Sequence, residues 1–188
     1  MGRVEGRPIF RDLGEFIESA CYFFEYETVI KAGMHGYKFE GENAWRHVFL
    51  RLLFGAIPSC PFPDVRWWIP VPAHPTRIKK RGFDPVVALF SPLLNSWGYG
   101  LTPIVDRVKE TPSLFHLSKP ERQTVLQGAF AVNPTFLAEI QGERVVILDD
   151  ILTSGSTVMS LASTLKQCGV GRIDVLTFLG VSAINDSD

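Results

Sequence analysis

The feature that most constrains this fold is the contiguous run VVILDDILTSGSTV at residues 145–158. Its four apolar residues, Val145 to Leu148, predict a buried strand, and a helical pattern follows the small polar loop. A strand that leads through such a loop into a helix forms an anion site, because free backbone N–H groups and the helix dipole converge there. The sequence therefore predicts phosphate binding by Thr153, Ser154, Gly155, Ser156 and Thr157.

Two carboxylates, Asp149 and Asp150, stand between the predicted strand and this loop. Carboxylates repel phosphate, but they accept hydrogen bonds from the two hydroxyls of a neutral diol. A diol acceptor beside a phosphate loop predicts a site for ribose 5-phosphate. The alternative is an ordinary strand–helix unit, in which the acids form an exposed turn and the hydroxyl residues cap the helix.

The run resembles the motif with which type I phosphoribosyltransferases bind 5-phosphoribosyl 1-diphosphate (PRPP). In that family the acidic pair holds the ribose 2′ and 3′ hydroxyls, and the loop holds the 5′-phosphate. The resemblance implies the same roles for Asp149, Asp150 and the loop 153–157 in this chain.

Strand and helix patterns alternate along the rest of the chain. Strands are predicted at 19–25, 65–71, 101–105, 129–132 and 172–180, and helices at 28–34, 44–56 and 86–97, the last interrupted at Pro92. The polar segment 107–127 is predicted to be a mobile loop. This order predicts an α/β fold with a central parallel sheet flanked by helices, and ligands at the carboxyl ends of its strands.

The length of 188 residues fits one domain, predicted at 19–182, with an N-terminal extension at 1–18 and a tail at 183–188. A net charge of −1 argues against a protein dominated by nucleic-acid binding. The three cysteines lack the spacing of a disulfide framework or a zinc site. The first ten residues do not resemble a signal peptide, and the apolar stretch VFLRLLFGAI is too short for a membrane span. We therefore expect a cytoplasmic protein.

Adjacent tryptophans, Trp67 and Trp68, alternate on a predicted strand. One of them is expected to face the core. The other either packs in the core or an interface, or is free to stack on a base.

A transferase that uses PRPP releases pyrophosphate, so a second anion site is expected near the first. The segment IPVPAHPTRIKKRGF at 69–83 leaves a predicted strand and carries His74, Arg77, Lys79, Lys80 and Arg81 without an acidic residue. The planar guanidinium of arginine suits phosphate oxygens because it donates paired hydrogen bonds. The alternative for this segment is a solvated basic turn.

This second segment, P-V-P-x-H-P-x-R-x-x-x-R-G-F, is similar to a signature of the competence protein F family, phosphoribosyltransferase-like proteins linked to natural DNA uptake. The likeness covers roughly residues 20–182 and includes the stretch Lys38 to Gly41, together with Arg107, Lys109, Thr111, Leu117, Ser118, Glu121, Arg122 and Gly128 to Phe130. It implies a type I phosphoribosyltransferase fold with a flexible hood loop. It also implies that Arg77 and Arg81 bind pyrophosphate and act with Asp149 and Asp150 as the catalytic set.

The remaining PRPP-binding residues implied are His74 beside the basic segment, and Arg107 and Lys109 in the hood loop. No direct metal motif is present, but Mg²⁺ is expected to accompany PRPP near Asp149 and Asp150. The implied reaction transfers phosphoribosyl to an unidentified nitrogenous acceptor. The alternatives are a non-catalytic PRPP- or nucleotide-binding accessory protein of DNA uptake, with protein partners, and direct binding of single-stranded DNA.

The chain departs from that family at several polar positions. The family's Asn-Gln after R-G-F is Asp84-Pro85 here, its Gln in the loop after the Thr is Leu114, and its Asn before the G-A-F stretch is Val125. The four-cysteine zinc-binding segment common in the family is not expected. These differences bear on the acceptor and on catalysis, whereas the PRPP-binding motif is intact.

Overall fold

The strand that carries the acidic pair lies inside the central sheet, with a parallel neighbour on each side. The computed structural model describes residues 9–11, 13, 15–39, 43–56, 59–112 and 117–181. Its strands are β1 (Ile9–Arg11), β2 (Ser19–Glu25), β3 (Trp67–Pro70), β4 (Val105–Arg107), β5 (Phe130–Val132), β6 (Arg144–Leu152) and β7 (Arg172–Gly180). Its helices are α1 (Thr28–Phe39), α2 (Asn43–Ala56), α3 (Pro75–Arg81), α4 (Pro85–Ser96), α5 (Lys119–Leu126) and α6 (Ser156–Gln167).

The central sheet has the strand order β1-β2-β7-β6-β3 within the described residues. Strands β2, β7, β6 and β3 run parallel, and β1 adds an antiparallel edge from the predicted N-terminal extension. Leu148 of β6 pairs with Leu176 of β7 on one side and with Pro70 of β3 on the other. The apolar run of β6 is continuous because both of its faces are covered.

Helices cover both faces of the sheet. Helix α6 packs on one face together with β4, β5 and Leu126 of α5, while α1, α2 and α4 pack on the other. The predicted α/β fold, a central parallel sheet flanked by helices, is therefore confirmed.

Both tryptophans of β3 are buried, on opposite faces of the sheet. Trp67 belongs to the core on the α6 side and Trp68 to the core on the α4 side, each exposed by no more than 2%. The indole Nε1 of Trp68 donates a hydrogen bond to the carbonyl oxygen of Val65 at 2.9 Å. The structure thus assigns both side chains to core packing and leaves neither free to stack on a base.

Two predictions between β3 and β5 were wrong in detail. The strand expected at 101–105 begins only at Val105. The hydroxyl of Thr102 accepts a hydrogen bond from the N–H of Trp68 and donates one to its carbonyl oxygen. Pro103 has no N–H to donate to a neighbouring strand. The predicted loop 107–127 contains α5, whose start is fixed by Glu121 accepting hydrogen bonds from the N–H and hydroxyl of Ser118 at 2.7 and 2.6 Å.

Two helices also differ from expectation. The basic segment 69–83 contains the short helix α3, with His74 at its N-cap and Gly82 in the left-handed conformation at its end. Helix α4 continues through Pro92 without interruption. Its side chains Leu89, Phe90, Leu93 and Leu94 are buried on both sides of the proline, so packing offsets the lost hydrogen bond.

No helix among the described residues is both long and apolar enough to span a membrane. The three cysteines are free thiols. Cys21 is buried between the strands and helices, and burial raises the pKa of its thiol to about 12.

Candidate functional site

A cleft of about 380 Å³ opens at the carboxyl ends of β3 and β6. The cleft is surrounded by the β3–α3 turn and α3, the start of α4, the end of α1, the end of β4, α5 and the β6–α6 loop. Many of the side chains that line the cleft are polar or charged. They include Tyr26, Lys38, Arg77, Arg81, Asp84, Arg107, Arg122, Asp149, Asp150 and residues 151–158.

The acidic pair lies near the carboxyl end of β6, which extends past the predicted strand. The carboxylate of Asp149 accepts a hydrogen bond from the Asp150 N–H at 2.8 Å. The carboxylate of Asp150 forms an ion pair with Nζ of Lys38 at 2.6 Å, and both side chains are largely enclosed. Burial, followed by the negative charge of Asp150, raises the pKa of the Asp149 carboxyl well above its usual range. Asp149 is therefore held in its neutral form up to a higher pH than a solvent-exposed aspartate.

The raised pKa of Asp149 predicts a pH dependence of stability. The folded state holds this proton more tightly than the unfolded chain does. In the unfolded chain the Asp carboxyl has a pKa of about 3.9. The stabilisation is fully present below the unfolded pKa and is lost as the pH rises through the raised pKa. We expect the melting temperature of the ligand-free protein to fall over that window, and Asp149→Asn to flatten this fall. Parallel melting curves for the two proteins would contradict the assignment.

The loop after β6 has the geometry of an anion site. Gly155 adopts a left-handed backbone with φ of 75°, and α6 begins at the next residue. The hydroxyls of Ser154 and Ser156 lie 2.9 Å apart, while Thr153 is exposed and Thr157 half-buried at the rim. The first N–H groups of α6 have no acceptor within the helix, and the N–H of Ser156 makes only a long hydrogen bond of 3.5 Å to the Ser154 hydroxyl, which an anion can replace. The structure brings all five predicted loop residues to the cleft.

The two predicted arginines of the β3–α3 segment both line the cleft. Arg77 donates from Nη2 to the carbonyl oxygen of Thr111 at 2.7 Å, and Arg81 donates from Nε to the carbonyl oxygen of Lys38 at 2.6 Å. His74 instead caps α3, where its Nδ1 accepts from the N–H of Thr76 at 3.3 Å, and it is not among the cleft-lining residues.

Arg107 was expected in a hood loop, but it is the last residue of β4, where it pairs with Phe130 of β5 and is only 9% exposed. Its Nη2 donates to the hydroxyl of Thr111 at 2.5 Å, and its guanidinium lies 5.4 Å from the ring centre of Phe130. Its buried Nε has no hydrogen-bond partner among the residues that the structure describes. Burial, and then the positive charge of Arg77, lower the pKa of Arg107. Lys109 is exposed and does not line the cleft.

Thr111 thus joins two guanidinium groups, one through its carbonyl oxygen and one through its hydroxyl. Within the described part of the chain neither Arg77 nor Arg107 has an ion pair with a carboxylate. Two like charges that share a neutral partner, one of them with an unsatisfied donor, favour an anion between them.

The departures from the family pattern have a partial structural explanation. Asp84 caps α4, where its carboxylate accepts from the N–H groups of Val86 and Val87 at 2.9 and 3.2 Å, and Pro85 occupies the first helical turn. The other carboxylate oxygen of Asp84 accepts from the N–H of Ala73 at 3.2 Å. This acid therefore fixes the β3–α3 turn to α4. Val125 lies on α5, and Leu114 lies outside the described residues.

No cluster of three or more potential metal ligands occurs among the residues that the structure describes. Mg²⁺, however, is usually bound through one or two carboxylates together with substrate phosphates. Asp149 and Asp150 supply such a pair of oxygen donors, and a cation beside them would favour the ionised form of Asp149, whose pKa is raised by burial and then by the charge of Asp150. The donor set therefore fits Mg²⁺ brought in with a phosphorylated ligand.

Two cleft residues were not predicted to act in the site: Lys38 and Arg122. Lys38 reaches Asp150 from α1, and Arg122 reaches the hydroxyl of Ser154 from α5 at 2.9 Å. Both residues lie in stretches that carry the family resemblance, and this resemblance was the only sequence signal that pointed to a role for them. Local sequence alone does not indicate which distant residue each contacts.

Comparisons with known proteins agree with this geometry. A family model described as phosphoribosyl transferase domain matches residues 86–183, more than half of the chain. DNA utilization protein YhgH of Salmonella typhi is 28% identical over 158 residues, covering 80% of this chain and 67% of that protein. Competence protein F of Haemophilus influenzae is 35% identical over 109 residues, and YhgH of Salmonella typhimurium is 32% identical over 108 residues.

For the last two proteins, the match covers 57% of this chain and spans 47% and 46% of the relative, about half of its length. The predicted resemblance to phosphoribosyltransferases and to competence protein F is thereby confirmed. The family model covers more than half of the length of this chain, and the chain therefore belongs to the phosphoribosyl transferase domain family.

Proposed function

We propose that the protein binds PRPP together with Mg²⁺ and transfers its phosphoribosyl group to a nitrogenous acceptor. The observation that carries this proposal is a single cleft that combines an acidic pair, an anion-binding loop and two arginines without carboxylate partners among the described residues. PRPP offers matching chemistry in the same order: a diol, a phosphate monoester and a pyrophosphate.

The sugar end of PRPP suits the β6–α6 connection. Asp149 and Asp150 accept hydrogen bonds from the ribose hydroxyls, and the loop 153–157 donates N–H and hydroxyl hydrogen bonds to the 5′-phosphate. The ion pair with Lys38 holds the Asp150 carboxylate in place for this task.

The pyrophosphate of PRPP suits the other end of the cleft. Arg77 and Arg107 flank Thr111 there, and Arg81 lines the same wall. Their positive charges stabilise the negative charge that develops on pyrophosphate as it departs, and arginines held in advance do so without reorganisation. His74 and Lys109 act in this proposal only as flanking positive or polar groups.

In the reaction, a C1′–N bond to the acceptor forms while the C1′–O bond to pyrophosphate breaks, and the acceptor nitrogen loses its proton. When bound, Mg²⁺ supplies charge neutralisation on the phosphate oxygens, and Asp149 and Asp150 are the residues that would hold it. The same two carboxylates orient the ribose and lie close to the positive charge that develops on the sugar ring.

Asp149→Asn and Asp150→Asn are expected to weaken PRPP binding by about ten- to a hundredfold, because each removes a charge-assisted hydrogen bond worth about 1.5–3 kcal/mol. Titration calorimetry with PRPP and Mg²⁺ measures the effect. Asp64→Asn is the matched control, since Asp64 is exposed and has φ of 63°, a conformation that Asn tolerates. Wild-type affinity in both cleft variants would show that the acids form only a turn.

The relatives' names, Competence protein F and DNA utilization protein, support a role of this activity in the uptake or use of DNA. The test of turnover is incubation with PRPP, Mg²⁺ and separate acceptors (purines, pyrimidines, ammonia and single-stranded DNA), with pyrophosphate release as the readout. Release that depends on one acceptor supports the transferase. Tight PRPP binding without pyrophosphate release in any mixture would instead assign a non-catalytic role. In that role, protein or DNA partners would bind the PRPP-bound form of the protein.

A further inference from the structure

Arg122 projects from helix α5 to the mouth of the phosphate loop. Its Nη1 donates to the hydroxyl of Ser154 at 2.9 Å, and its Nε donates to the carbonyl oxygen of Leu117 at 2.8 Å. The residue is half-buried and lines the cleft beside the loop 153–157. The guanidinium is therefore held at the loop rather than free in solvent.

The position of Arg122 is fixed by contacts of α5 with α6. The hydroxyl of Ser160 in α6 donates to the carbonyl oxygen of Leu126 at 3.0 Å, and Leu126 is fully buried in the core on that face of the sheet. At its other end α5 is capped by Ser118 and Glu121. Helix α5 thus rests on the helix whose N-terminus forms the phosphate loop.

The charge of Arg122 is not neutralised by a carboxylate within the described ranges, where the residue has no ion pair. Its contacts are a hydroxyl and a backbone carbonyl, so guanidinium donors remain for a further acceptor. A cation with spare donors beside converging N–H groups favours a doubly charged anion at this place.

We propose that Arg122 is a direct ligand of a sugar-phosphate monoester in the loop 153–157. The Nη1 donor that now contacts Ser154 turns to a phosphate oxygen when the ligand binds, and α5 becomes tied to the occupied loop. This inference rests on the proposed function, because it assigns a ligand contact within the same cleft. Its consequence is that binding of the phosphate monoester, rather than of pyrophosphate, further stabilises α5.

The test uses ribose 5-phosphate, ribose and pyrophosphate as separate probes, each titrated by calorimetry into the whole chain. Arg122→Gln is expected to weaken ribose 5-phosphate binding by about ten- to a hundredfold and to leave pyrophosphate binding within about twofold. Arg122→Lys should recover part of the loss because it keeps the charge. Arg66→Gln is the control, since Arg66 is an exposed arginine whose ion pair with Glu139 is also exposed.

Two further readouts separate a ligand contact from a structural one. The phosphate monoester gains its second negative charge at about pH 6. The affinity of the wild-type protein for ribose 5-phosphate should therefore rise as the pH increases through this value, and the rise should be smaller in Arg122→Gln. Ribose 5-phosphate should slow amide hydrogen exchange in 119–126, whereas pyrophosphate should not.

The outcomes are distinguishable. Wild-type protein that binds none of the phosphorylated probes would overturn the proposed function itself. Wild-type binding of ribose 5-phosphate with an unchanged affinity in Arg122→Gln would overturn only the role of Arg122. Equal losses for ribose 5-phosphate and pyrophosphate, with no recovery in Arg122→Lys, would show that Arg122 merely supports the fold of the loop.

Discussion

Arg77→Gln is expected to slow pyrophosphate release from PRPP by about a hundred- to a thousandfold while leaving the melting temperature nearly unchanged. Removing one contact that is arranged in advance for transition-state charge typically costs about 2.7–4 kcal/mol. Arg77 is half-buried on the cleft wall, and it donates to the carbonyl oxygens of Thr111 and Pro112. Its charge therefore faces the cleft without a carboxylate to neutralise it among the described residues.

The control for this variant lies on the same helix. Lys79→Gln removes a positive charge from α3 at an exposed position that does not line the cleft. Pyrophosphate release and thermal melting are measured for both variants. Similar small losses in the two would mean that the basic segment acts only as a diffuse positive surface, and a large drop in melting temperature for Arg77→Gln would assign it to folding.

Trp68→Ala is expected to lower the free energy of unfolding by about 3–5 kcal/mol. Trp68 is fully buried under α4, contacts the rings of Trp97 and Tyr99, and donates to Val65. The alanine leaves a cavity between the sheet and the helix that neighbouring side chains fill only partly.

Urea denaturation measures this loss, with Val108→Ala as the control, because Val108 is 59% exposed and should change the stability by less than about 0.5 kcal/mol. A loss below about 1 kcal/mol in Trp68→Ala would show that the indole is accessible, which would reopen base stacking as its role.

The part of the fold that sequence predicted well is local and strongly patterned. The run from Val145 to Thr157 is contiguous, so strand, acids, loop and helix start could be assigned together, and the last strand was predicted with its observed bounds, Arg172–Gly180. The continuous apolar run of β6 is typical of a strand that is buried on both faces, and its alternate residues do pack in the two cores.

The parts that sequence missed depend on contacts between distant segments or on short caps. Helix α3 is held by the His74 cap and by Gly82, and α5 by a Ser118–Glu121 box and by α6, so neither has a long amphipathic repeat to reveal it. The box itself was legible in the sequence as S-x-x-E before an apolar position.

The site was predictable in its residue types but not in its pairings. The pattern of acids, loop and arginines is local, whereas the Lys38–Asp150 ion pair and the shared Thr111 join residues that the fold alone brings together. His74 shows the opposite case: its neighbourhood in sequence is basic, but its side chain serves a helix cap.

The central claim, that this cleft binds PRPP, is tested most directly by the crystal structure of the protein with PRPP and Mg²⁺. We expect density for the 5′-phosphate against the N–H groups of 153–157, ribose hydroxyls at Asp149 and Asp150, and pyrophosphate between Arg77 and Arg107. Density for PRPP only outside the cleft, with the loop empty, would contradict the claim.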